Sequence, residues 1–184
     1  TCALPICLNG PVFNARDTIF ISKNTEIKLT AYDKESGVSR IIYNIDNKKE
    51  KTYDNPLKLR KEGVHYIEFS GFDNVDNSNR KKAVFVVDND PPEINENFSV
   101  VPLKRQETNG KLQVYPSYTV LFLSATDGHV GYDKLYYSIN GQPERLYSSI
   151  LKNFKKGQDY EIKVRALDKL GNESEKVIKF AIEN

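Results

Sequence analysis

The sequence predicts an all-β chain folded as two tandem β-sandwiches of about seven strands each. Three observations carry this prediction. First, the pattern of residues 31–53 returns without a gap as residues 125–147, ninety-four positions later. Second, apolar and polar residues alternate with the period of a half-buried strand, and no helical periodicity of useful length occurs. Third, Gly, Asn and Asp punctuate these runs at the spacing of a sandwich. Aligned over residues 18–63 and 112–157, the copies share 13 identical residues in 46 positions, including Leu29/Leu123, Ala31/Ala125, Asp33/Asp127, Gly37/Gly131, Tyr43/Tyr137 and Tyr53/Tyr147. A repeat of this period sets the architecture, and in 184 residues it implies two domains of roughly ninety residues each.

In chain order, Ile27, Leu29 and Ala31 alternate with polar neighbours, as do Leu121, Leu123 and Ala125 in the second copy, and both runs read as half-buried strands. Loops ending at Gly37 and Gly131 follow, where glycine admits a positive φ. The next strands carry Ile41, Tyr43 and Ile45, matched by Leu135, Tyr137 and Ile139. Asn47 and the Asn140-Gly141 pair mark turns into short strands around Tyr53 and Tyr147. Beyond Gly63 and Gly157 come long strands ending at Asp73 and Asp168, with His65 opposite Tyr160 in the predicted core. The last strands set Ala83, Phe85 and Val87 against Ile178, Phe180 and Ile182. Residues 98–103 and 111–115 flank Asn109-Gly110 as the arms of a predicted hairpin, and Asn9-Gly10 marks an equivalent turn in the first copy.

The predicted boundaries are an amino-terminal segment 1–10, a first sandwich 11–88, a Pro-rich linker 89–93 and a second sandwich 94–184. Pro91 and Pro92 favour extended polyproline geometry in the linker.

Composition excludes several classes. Basic and acidic residues number 27 and 25 and are mixed along the chain, which argues against nucleic acid. No apolar run approaches a membrane span. The absence of Met implies a processed chain or a piece of a longer one, and both point towards export. Cys2 and Cys7 stand five apart, open to a local disulfide or, for Cys2, to lipid modification. No nucleophile elbow, paired Cys/His or phosphate-cradling glycine loop is present, so no enzyme activity is expected.

Several motifs resemble a bacterial Ig-like repeat. They are Ala-Tyr-Asp-Lys-Glu-Ser-Gly-Val at 31–38, Ile-Tyr-Asn-Ile-Asp at 42–46, Thr-Tyr-Asp-Asn-Pro-Leu at 52–57, Glu-Gly-Val-His-Tyr-Ile at 62–67 and Asp-Asn-Val-Asp-Asn at 73–77. That repeat is named after a leptospiral outer-membrane protein, and residues 88–92 look like its inter-repeat linker. The second copy departs from it at Val130, where Ser precedes the glycine in the first. The resemblance implies Ig-like sandwiches in an exported module of the bacterial envelope or surface. Its partners would be an envelope protein or further Ig-like repeats, and it implies no catalytic activity.

The chemistry-bearing residues sit in the loops. Asp33, Glu35, Asp73, Asp76 and Asn77 gather at one end of the first sandwich, and Asp127, Asp133 and Asp168 at the corresponding end of the second. Asp88, Asp90, Asp127 and Asp168 form a candidate calcium set, weakly similar to cadherin repeats, because hard cations need carboxylates converging from several segments. Against this stands the ability of Asp to cap its own turn. Tyr132 and Tyr136 are expected outside the core, as candidate contacts for a protein or a glycan.

Overall fold

A computed structural model describes residues 3–103 and 112–184. The described residues form fifteen strands and no helix. The chain divides into two compact units, residues 1–89 and 90–184. Each has its own apolar core, and the two cores share no residue.

In the first unit, β1 (Ile6–Asn9) pairs antiparallel with β4 (Glu26–Leu29) as one sheet. The other sheet runs β2-β3-β8-β7-β5-β6, formed by β2 (Val12–Ala15), β3 (Thr18–Ile21), β5 (Val38–Ile45), β6 (Lys51–Thr52), β7 (Gly63–Asp73) and β8 (Ser78–Val87). A bridge from Ile27 to Leu57 adds one rung to the smaller sheet. Alternation drives the assembly: Ile67, Phe69 and Phe85 point inward and are nearly fully buried with Ile27 and Leu29 from the opposite sheet.

The second unit repeats this plan. Strand β9 (Glu93–Phe98) pairs with β11 (Leu121–Thr126), with a Leu121–Leu151 bridge where the first unit has Ile27–Leu57. Strands β10 (Gln113–Tyr115), β12 (Tyr132–Ile139), β13 (Arg145–Leu146), β14 (Asp159–Asp168) and β15 (Glu173–Ile182) form the larger sheet in the order β10-β15-β14-β12-β13. Phe180 is the hub of this core. Its ring lies 5.1 Å from Phe98, 5.9 Å from Tyr115, 5.1 Å from Phe154 and 5.4 Å from Tyr160.

Three expectations are corrected. Residues 3–10 are not merely a leading segment, because Ala3 bridges Tyr32 and β1 supplies half of the smaller sheet. Strand pairing, with Leu4 buried beneath it, therefore holds the amino-terminal stretch in place. Asn9-Gly10 is not a hairpin turn but a crossing from the smaller sheet to the larger. Gly10 has φ +123°, and a Cβ there would stand 3.0 Å from Thr25 Cα. Finally, the segments 98–103 and 112–115 are not simple hairpin arms. They meet where the Leu103 N–H donates to the Val114 carbonyl at 2.8 Å, but β9 joins one sheet and β10 runs parallel to β15 in the other. Asn109-Gly110 and the Cys2–Cys7 pairing fall outside the described residues; Cys7 is exposed on β1.

Leu4 lies over Gly71, where the second unit has Ala166. A Cβ on Gly71 would stand 2.9 Å from both the Ala31 Cβ and a Leu4 methyl. Gly71→Ala is therefore expected to destabilise the first unit by about 1–3 kcal/mol through overpacking. Urea denaturation checks this, and unchanged stability would mean that Leu4 swings clear at no cost.

Candidate functional site

The loops that join β4 to β5 and β7 to β8 are built on aspartates. Asp33 Oδ1 accepts the backbone N–H groups of Glu35, Ser36 and Gly37 at 3.0, 2.9 and 3.2 Å. Asp73 Oδ1 accepts from Val75 and Asn77 at 2.9 and 2.8 Å, and its Oδ2 accepts from the Asn77 side chain at 2.9 Å. Ser36 Oγ ties the loops together, 2.9 Å from Asp73 Oδ2 and 3.2 Å from Asp33 Oδ1. These carboxylates are acceptors at the head of turns, and the turns close because each Oδ1 takes several N–H groups that would otherwise lack partners.

The second unit repeats the device. Asp127 Oδ1 accepts from the N–H groups of His129, Val130 and Gly131 at 3.0, 2.8 and 2.9 Å. Asp168 Oδ1 accepts from Leu170 and Asn172, both at 2.8 Å, and its Oδ2 from the Asn172 amide at 2.8 Å. Val130 replaces Ser36, so the hydroxyl bridge is gone. Val130 and Leu170 are instead almost completely buried, at 3% and 4% exposure, whereas Val75, the counterpart of Leu170, is 66% exposed.

Hydrogen bonding sets the charge state of the first pair. The Ser36 N–H, with those of Glu35 and Gly37, holds the Asp33 carboxyl below its usual range against the opposing effect of burial. Burial alone would raise Asp73, but donors on Asn77, Ser36 and Val75 outweigh it and lower the group. A lowered carboxyl contributes stability that is fully present above its unfolded value, near 3.8, and is lost as the pH falls through the folded value. The first unit is thus expected to weaken progressively below about pH 4. Urea melts in acid measure this, with Asp33→Asn flattening the dependence. A curve that stays level on acidification would show that these bonds do not discriminate between the two protonation states.

Of the four proposed calcium ligands, Asp88 belongs to the first unit and the other three to the second. Asp88 is fully buried, and its N–H donates to the Ile21 carbonyl at 3.0 Å. Asp90, Glu93, Asp127 and His129 line one shallow hollow of the second unit. The Ser174 hydroxyl donates to the Pro92 carbonyl beside it.

Tyr132 is 47% exposed at the start of β12. Tyr136 is half-buried under the Arg165 guanidinium, 4.7 Å from its ring centre. Glu144 at 2.9 Å and Glu173 at 3.1 Å fix that arginine, and its bond lowers the Glu144 carboxyl. A partner approaching Tyr136 therefore meets an arginine already held over the ring.

Sequence reasoning missed two features. Tyr53 and Tyr147 are more than strand residues. Their hydroxyls accept the Leu29 and Leu123 N–H groups at 3.2 and 3.1 Å, and their rings stand edge-on to Tyr43 and Tyr137 at 6.2 and 6.1 Å. The repeated Tyr-Tyr spacing was the available signal. The other is the outer face of the larger sheet, which differs between the copies. In the first unit an apolar row crosses four strands by register, Phe13 to Phe20 to Val86 to Val64, with Val84 beside Tyr66 next to it. Val64 and Tyr66 are 53% and 56% exposed. In the second unit the same face carries ion pairs such as Lys179–Glu161 at 2.8 Å.

No family model matches the chain, and no curated protein matches it in sequence. Solved structures do match. The fibronectin(III)-like modules of Clostridium thermocellum CbhA are 11% identical with a TM-score of 0.44, over 97% of this chain and 94% of that one. Extracellular cadherin domains 3–6 of protocadherin gamma B2 are 15% identical with a TM-score of 0.30, over 97% of this chain and 47% of theirs. The likeness is one of fold.

Proposed function

We propose that the chain is a non-catalytic, exported module of a bacterial envelope or surface protein that acts as a spacer or a protein-interaction domain, of the leptospiral-type Ig-like repeat that its motifs resemble. The observation that carries this reading is the use made of the repeated residues. Asp33/Asp127, Gly37/Gly131 and Tyr53/Tyr147 each hold the module together in the same way in both copies. What the two copies share is thus scaffold. Among what differs is the outer face of the larger sheet, where the apolar row of the first unit gives a protein partner something to bury. Fractionation of cells that make the protein natively tests the reading, with recovery in the envelope or medium expected. Recovery in the cytoplasm would overturn it.

A calcium-stiffened, adhesin-like module is the second reading. It is supported by the hollow in which Asp90 and Asp127 stand together with Glu93. Asp168 of the same unit would add a further carboxylate. Melting the protein in millimolar calcium and again in chelator separates the two readings. A spacer melts at one temperature in both, and a calcium module melts higher with calcium and loses that gain in Asp127→Asn.

A further inference from the structure

The two copies build the same ladder but finish its outer face differently. At the centre of that face the second unit sets Glu161 on β14 opposite Lys179 on β15, and the two meet at 2.8 Å. Lys163 adds a second cation to the same carboxylate at 3.7 Å. Charged heads of both signs keep that face in water. At the corresponding place the first unit sets Tyr66 on β7 opposite Val84 on β8.

Tyr66 and Val84 do not stand alone. Val64, Tyr66 and Val84 are 53%, 56% and 46% exposed and are neighbours by register. Val86 continues them to Phe20 on β3, whose ring centre lies 6.3 Å from that of Phe13 on β2. Other outward aromatics of the larger sheets are covered by a cation. Phe72 lies under the Arg40 guanidinium at 4.2 Å, as Tyr136 lies under Arg165.

The six side chains from Phe13 to Tyr66 leave roughly 400 Å² of apolar surface exposed, the size of patch that monomers reserve for a function. Two such patches buried on each other, in an interface about 60% apolar, make a contact of roughly 1,300 Å² in total. That is enough for a specific, stable dimer.

Charge points to the same occupant. Beyond Val84, Lys82 and Arg80 share the single carboxylate of Glu68, which leaves an excess positive charge at that end of the face. At the other end, two residues before Val64, Glu62 is exposed, and its carboxylate accepts the Asn89 N–H at 2.8 Å. Two copies of the face can stack with their β8 strands antiparallel, related by a two-fold axis that runs across the strands. The row of Val64 and Val86 in one copy then lies over the row of Tyr66 and Val84 in the other. Lys82 of each copy comes over the end that holds the other's Glu62, so the face is complementary to itself.

We propose that the chain dimerises through the outer face of the larger sheet of its first sandwich, with Tyr66 and Val84 at the centre of the contact. The inference rests on reading the chain as a protein-interaction module, and it names the partner as a second copy of the same face. The second sandwich, closed by Glu161 and Lys179, takes no part in it.

Sedimentation equilibrium of the full chain between about 1 and 300 μM tests this, with a monomer–dimer equilibrium of micromolar Kd expected. Tyr66→Glu combined with Val84→Lys writes the second unit's own ion pair into the first. It should raise Kd at least about 30-fold. Its urea midpoint should hold, because the same pair already sits on the same ladder in the second sandwich. Methyl spectra of the wild-type protein give a readout that needs no variant. On dilution the Val64, Val84 and Val86 methyls should shift, while Val177, 51% exposed on the second unit's outer face, stays still. A chain that remains monomeric at the highest concentration, a dimer as tight in the double variant as in wild type, or dilution shifts at Val177 in place of Val64 and Val84 would each overturn the proposal. A monomer that fractionates with the envelope would strike the dimer and leave the exported spacer standing.

Discussion

Truncating Phe180 to alanine is expected to cost the second sandwich about 4 kcal/mol, a large share of what a domain of this size possesses. The ring is 1% exposed and touches four other aromatic rings, three from the two sheets and Phe154 from the loop before β14. Alanine leaves a cavity that those stiff rings cannot collapse to fill, so the cavity cost adds to the lost transfer energy. Because the two cores have no residue in common, the loss should stay in the second unit. Two-dimensional amide spectra in increasing urea would show residues 90–184 unfolding early and residues 3–89 keeping the wild-type midpoint. Simultaneous loss of both sets would mean that the units do not fold independently.

Asp168→Ala should destabilise the same unit by about 3 kcal/mol, even with chelator present. The carboxylate is 2% exposed and receives three hydrogen bonds from the turn that follows it. Alanine strands the N–H groups of Leu170 and Asn172 beside a buried leucine. Asp168→Asn keeps one acceptor oxygen for those two N–H groups and should cost about 1 kcal/mol. Denaturation in chelator reads both. An Asp168→Ala protein as stable as wild type without calcium would show that the turn holds without its cap and that this acid serves a ligand.

The difference between those variants shows where the sequence stopped being informative. An aspartate that heads a turn and an aspartate that binds a cation have the same neighbours in sequence, Gly, Asn and Ser. The convergence of three N–H groups on Asp127 Oδ1 is a matter of backbone geometry that those neighbours do not reveal. Strands and faces were legible because alternation is a local property. Leu123 and Ala125 turn inward from β11 as their spacing requires. Sheet membership was not legible. Val114 pairs with Ala181 in a parallel ladder, a choice made by residues sixty-seven positions away and not by the turn nearby. Strand β1 was equally hidden, since a short segment beginning Leu4-Pro5 becomes a strand only when β4 offers it an edge. The roles of Tyr53 and Tyr147 were half visible. Their identity in both copies was plain, but their bonds run to N–H groups twenty-four residues upstream.

The parallel pairing of an early strand with the last one, Ile19–Ile21 beside Phe85–Val87 and Gln113–Tyr115 beside Phe180–Ile182, bears on tension. When parallel neighbours near opposite ends of a unit are drawn in opposite directions along their axes, the rungs between them lie across the pull and share it. An antiparallel hairpin opened at its mouth gives way one rung at a time. The last strand of each sandwich is therefore held to its parallel neighbour in shear and not in peeling.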